Sequence, residues 1–189
     1  MVRMRCYIGG RNTGKTTILK RLFRKLHRLQ KKLAIFVLDS AVQEGNKSLI
    51  KQLQSEGYCG ALFEFKCAAD FANFEKNAFK SSVVFCDVSY YLEKGHEAET
   101  GAEKEKLRNQ YKETAADILE YILEHNWREM KPIIIMDEIE INDRAAKIIL
   151  KYLNTAIIRM AIHNINFAPP QLLAHANIKI VNLIHKYHQ

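Results

Sequence analysis

No apolar run in this chain of 189 residues reaches the roughly 20 residues needed to cross a bilayer. The first ten residues, MVRMRCYIGG, hold neither a long apolar segment nor a small-residue cleavage site. No secretory leader is therefore expected, and the cytoplasm is the expected compartment. Cysteine is scarce. Cys6, Cys59, Cys67 and Cys86 form no CxxC pair, and no His-rich segment supplies zinc-type spacing. Reduced core cysteines are the expectation, with Cys6 and Cys86 inside apolar runs. Internal repeats, low-complexity tails and a second composition zone are also missing, so a single domain over 1–189 is expected.

What is present describes a globular chain. It is 48% hydrophobic and 26% charged, and 29 Lys and Arg against 21 Asp and Glu give a net charge of +8. That balance favours polyanionic partners but says nothing about fold.

Short apolar runs alternate with helical patterns. RMRCYI (3–8) reads as a strand. From Thr16 to about Lys32, Leu19, Leu22, Phe23, Leu26 and Leu29 recur at spacings of three and four, which predicts a helix with one apolar face. Its other face carries Lys20, Arg21, Arg24, Lys25, Arg28, Lys31 and Lys32, read first as a solvated face. LAIFVLD (33–39), ALFEF (61–65), SVVFCDVS (82–89) and KPIIIMDE (131–138) read as further strands. A helix ended by Gly57 and a weak helix in DFANFEKNAFKSS fall between them. The highly charged 93–113 reads as a mobile loop entering a helix at 104–127. A long helix over 142–164, a strand INFAPPQ (165–171) and a last strand over 177–187 complete the reading. Strands alternating with helices predict an α/β fold, a mainly parallel sheet with helices on both faces.

Gly9 to Thr16 reads GGRNTGKT and fits GxxxxGK[ST], placed between a predicted strand and a predicted helix. Glycines let backbone N–H groups close around an anion, and the helix N-terminus adds unpaired donors and a positive dipole end. This predicts a nucleotide phosphate site built from Gly9, Gly10, Arg11, Asn12, Thr13, Gly14, Lys15, Thr16 and Thr17. Lys15 would reach the β- and γ-phosphates of ATP, and the Thr16 hydroxyl would ligate Mg²⁺. A second strand must then end in an acid. IIIMDE is preferred, with Asp137 toward the metal and Glu138 polarising the attacking water. VVFCD, ending in Asp87, is the alternative.

This order of parts resembles the FtsK/HerA class of P-loop ATPases: the P-loop, IIIMDEIE, Arg159 late in a helix, INFAPPQLL and the closing NIKIVNLI. Only the P-loop and the DE strand are sharp motifs. In size the chain is similar to the minimal viral genome-packaging members. The resemblance implies a three-layer αβα P-loop NTPase with a RecA-like (ASCE) core. It also implies a homo-oligomeric, hexameric ring that hydrolyses ATP to move double-stranded DNA. A capsid or membrane-anchored docking partner would accompany the motor, in a host cytoplasm or virion if the source is viral. Carried over, Gln171 would be the polar sensor beside the γ-phosphate, and Arg159, or else Arg144, an arginine finger. The paired prolines of INFAPPQ depart from the class. Two other readings compete: a nucleotide-gated switch or assembly ATPase without translocation, and a small-molecule kinase, for which EKEKLRNQYKE makes a poor lid. A GTPase is disfavoured because no N/TKxD motif is present.

Overall fold

The computed structural model describes residues 3–10, 12–29, 33–40, 48–125 and 131–183. Seven strands build one sheet: β1 (Met4–Ile8), β2 (Leu33–Asp39), β3 (Ala61–Glu64), β4 (Val83–Asp87), β5 (Lys131–Asp137), β6 (Ile157–Ile162) and β7 (Ile178–Asn182). Their order is β3-β4-β2-β5-β6-β1-β7, and every pairing is parallel. Parallel neighbours need crossover connections. These are supplied by α1 (Lys15–Arg28), α2 (Leu49–Ser55), α3 (Ala68–Asn77), α4 (Tyr90–Glu97), α5 (Gly101–Glu124), α6 (Asp143–Tyr152) and the single turn α7 (Pro170–Leu173).

Alternating side chains of the strands feed two cores. On one face Leu19 and Phe23 of α1 and Leu49 and Leu53 of α2 pack on Tyr7, Ile35, Val37, Ile133, Ile135 and Ala161. On the other, α3, α5, α6 and α7 cover Met4, Cys6, Phe36, Ile134, Met136 and Met160. The result is a three-layer αβα fold with RecA-like order, in which one strand, β6, separates β1 from β5. Ile133 to Met136 are fully buried because both faces of β5 are covered.

Four expectations change. The helix over 142–164 is two elements: α6 ends at Tyr152, and Ile157–Ile162 is strand β6. The run IIRMAI is apolar but for Arg159, which periodicity alone does not tell from a buried helix, and no glycine or proline marks the break. INFAPPQ is not a strand but a 3₁₀ turn, Ile165–Phe167, followed by α7, with Pro170 at the first helical position where a missing N–H costs nothing. The charged 93–113 is helical: α4 and α5 form a hairpin, with Thr100 capping α5 through the Glu103 N–H. Cys59 and Cys67 are exposed, whereas Cys6 and Cys86 are buried as expected, and burial raises the pKa of both buried thiols. Residues 30–32 and 184–187 of the expected first helix and last strand lie outside the described residues.

Candidate functional site

β1 runs straight into the glycine-rich loop and the loop into α1, so the strand–loop–helix setting is present. The Gly9 N–H donates to Ile162 O at 3.2 Å, and the Leu183 N–H to Ile8 O at 2.7 Å, which ties the loop's root to both neighbouring strands. A Cβ on Gly9 would lie 2.6 Å from Thr13 Oγ1 and 3.0 Å from Leu183 O, so only glycine fits there. Gly14 has φ +83° at the N-terminus of α1, a left-handed geometry that a side chain would strain. Asn12, at φ 62°, takes the same region, which asparagine tolerates better than most residues. No side chain caps α1, so its first N–H groups stay open toward the loop. Gly10 and Thr13 lie in the loop and Thr17 in the first turn of α1, and the Thr13 hydroxyl donates to Gly10 O at 2.9 Å. Arg11 lies outside the described residues.

The DE strand meets this loop. Thr16 Oγ1 donates to Asp137 Oδ2 at 2.8 Å. Lys15 Nζ donates to Gly9 O (2.5 Å) and Gly10 O (2.8 Å) and pairs with Glu138 Oε1 at 3.0 Å. Asp87 ends β4, with β2, β5 and β6 between it and β1, so it stands roughly 19 Å across the sheet from the loop strand. Its carboxylate instead accepts from the Ser89 N–H at 2.9 Å. The geometry therefore brings Asp137, not Asp87, to Thr16.

Asp137 is 1% exposed, and among the described residues its Oδ1 has no hydrogen-bond partner. Burial, then the neighbouring Asp39, pushes its pKa up to about 8, against the pull of Thr16 and Lys15. A buried carboxylate oxygen without a donor is costly. A divalent cation at this point would satisfy it, and the oxygens of Asp137 and Thr16 are hard donors of the kind Mg²⁺ takes. Among the described residues no cluster of three or more His, Cys, Asp or Glu could hold a metal alone. Such an ion would need further oxygens from water or a phosphate.

Glu138 adopts φ 58° directly after the strand. Several contacts hold it there. Its N–H donates to Ala161 O at 2.9 Å, and its carbonyl accepts from Ser40 Oγ at 2.6 Å. The buried Tyr111 hydroxyl reaches the same carbonyl at 3.4 Å and accepts from the Glu140 N–H at 2.8 Å. Glu140 in turn pairs with Arg108 and Lys112 of α5, each at 3.0 Å. Sequence reasoning missed Ser40, Tyr111 and Glu140. Only the polar residue just past β2 left a trace in the sequence.

The three residues carried over from the resemblance make other contacts. Gln171 is in α7, exposed, donating to Asp143 Oδ1 at 2.9 Å. The strand beside the loop is β6, and the polar residues following it are His163 and Asn164, a position hidden by the misread helix. Asn164 Oδ1 accepts from the Asn166 N–H at 2.9 Å. Arg159 lies inside β6, not late in a helix, and donates to Arg3 O (3.0 Å) and Ile158 O (2.8 Å). Arg144 pairs with Glu113, Asp117 and Glu120, joining α6 to α5.

Comparison of the chain with family models and with curated proteins finds no match.

Proposed function

We propose that this protein is a Mg²⁺-dependent ATPase of the P-loop type, and that it works as an oligomeric ring on double-stranded DNA, as the FtsK/HerA-like order of its motifs suggests. The observation that carries the ATPase reading is the meeting of two distant motifs: Thr16 on Asp137 at 2.8 Å and Lys15 on Glu138 at 3.0 Å. The DNA part rests on the resemblance and on the +8 charge.

In this reading the loop's N–H groups and the start of α1 bind the phosphates. Lys15 exchanges Gly9 O, Gly10 O and Glu138 for phosphate oxygens and follows charge as it builds on the γ-phosphate. Freed from Lys15, Glu138 orients a water and accepts its proton. Its left-handed backbone, held by Ser40 and Tyr111, fixes where that carboxylate starts from. Thr16 and Asp137 would hold Mg²⁺, which supplies neutralisation of the β- and γ-phosphates. A nucleotide-gated switch is the second reading, favoured by the same ion pair: Glu138 tied to Lys15 is a resting state that nucleotide must open.

Calorimetric titration with ATP, with and without Mg²⁺, tests the site. Wild type should bind with an affinity that depends on Mg²⁺. Lys15→Ala should lose binding, and Asp137→Ala should lose the Mg²⁺ dependence. Equal binding by all three proteins would sink the reading.

A further inference from the structure

Fewer than half of this protein's described lysines and arginines sit against acids. Lys20 and Arg24 share Glu56, Arg108 sits on Glu140 and Arg144 on three acids of α5. One region differs. Arg159 of β6, Arg5 of β1 and Lys179 of β7 stand in register on three adjacent parallel strands. All three point to the α1 side, the side of Tyr7, Ala161 and Val181. Among the described residues none of the three has a carboxylate within ion-pair distance. The same holds for Lys25 and Arg28 at the far end of α1, the helix that borders this face.

The face is open. Arg5 and Lys179 are exposed, and the apolar side chains beside them, Ile157, Val181 and Leu183, are only half-buried. The three cations form a row about 10 Å wide at normal strand spacing. Arg159 is held in place by Arg3 O and Ile158 O, and burial together with the neighbouring Arg5 lowers its pKa from the usual arginine value. Like charges lined up without an anion repel one another, and a polyanion laid across them relieves that repulsion.

We infer that the ledge formed by β6, β1 and β7 beside α1 binds the phosphate backbone of double-stranded DNA, with Arg5, Arg159 and Lys179 as its contacts. The inference rests on the DNA-dependent reading above and gives that partner a surface. Duplex is favoured over single strand because the ledge offers charge without stacking. Its aromatic side chain, Tyr7, is 6% exposed, whereas single-stranded sites lay bases on open rings. The position also suits a motor. Arg5 lies four residues before Gly9 on the strand that becomes the phosphate loop, roughly 13 Å away.

The test is fluorescence anisotropy with a short labelled DNA duplex over a salt series. The proteins are wild type, Arg5→Ala/Lys179→Ala, and Lys76→Ala/Lys80→Ala, which removes the same charge from the opposite layer. The ledge variant should bind at least about tenfold more weakly, with a salt slope smaller by about 2. The distal variant should bind like wild type, and Arg5→Lys/Lys179→Arg should restore binding. Equal losses in the ledge and distal variants would overturn the inference. So would tighter binding of single strand or duplex RNA, or preference for polyglutamate over DNA, which would mark an acidic protein partner. Phosphate release on the same proteins separates the two readings. DNA-stimulated turnover that survives in the ledge variant removes the ledge and leaves the ATPase. Duplex binding at the ledge without ATP turnover does the reverse.

Discussion

Asp137 keeps one carboxylate oxygen buried without a partner among the described residues, which should show in how stability responds to pH. Its pKa in the folded protein, about 8, lies above the ordinary carboxylate value, so the folded state holds a proton that the unfolded chain has released. This contribution to stability is complete below about pH 4 and is lost as pH rises toward 8. Asp137→Asn should therefore melt higher than wild type at pH 8 in the absence of nucleotide, by about 2–4 °C for each kcal/mol recovered. At pH 4 the difference should shrink. A variant that melts lower than wild type at pH 8 would show that Oδ1 is satisfied in solution. At Glu138 the effect should be on rate. Glu138→Gln keeps the shape and removes the base, so turnover should fall about 10²–10⁴-fold while nucleotide still binds. Removing the Tyr111 hydroxyl leaves the buried Glu140 N–H without its acceptor, at about 1–3 kcal/mol. Tyr111→Phe should lower kcat more than it raises KM, because the phenol touches the backbone of Glu138 and not the phosphate loop.

Among the described helices, α5 carries the most connections. It buries Tyr111, Ile118, Leu119 and Ile122 under the sheet and holds α6 through Arg144. Those pairs are partly exposed, so their joint worth is modest and screened by salt. Arg144→Ala should lower Tm by about 2–4 °C at low salt and less at high salt, with nucleotide turnover unchanged. A collapse of turnover with Tm intact would instead point to an arginine finger. The elements also mark the limits of reading the sequence. The phosphate loop was legible because its glycines, lysine and threonine act within eight residues, and β5 because four apolar residues end in two acids. β6 was not legible. NTAIIRMAI follows α6 across a turn without glycine or proline, and a short apolar run of this kind carries the same apolar density as a buried helix. That one error displaced Arg159 and Gln171 together. The α4–α5 hairpin was hidden for the opposite reason: its exposed half is so charged that no apolar stripe announces it. Tyr111 and Glu140, which meet from different elements, left no local pattern at all.

In the whole molecule, one parallel sheet places the phosphate loop, the DE pair and the cationic ledge on neighbouring strands. β1 carries the ledge at Arg5 and the loop from Gly9; β6 carries Arg159 and pins Glu138 through Ala161 O. Among the described residues no helix is long and apolar enough to cross a membrane. In the proposed function Lys15, Thr16, Asp137 and Glu138 form one hydrolytic site whose work is tied to DNA. The most direct measurement is phosphate release from ATP with Mg²⁺, with and without double-stranded DNA, for wild type beside Glu138→Gln. DNA should raise turnover in wild type, and the variant should lose it. Turnover that ignores DNA, or that persists in Glu138→Gln, would contradict this reading.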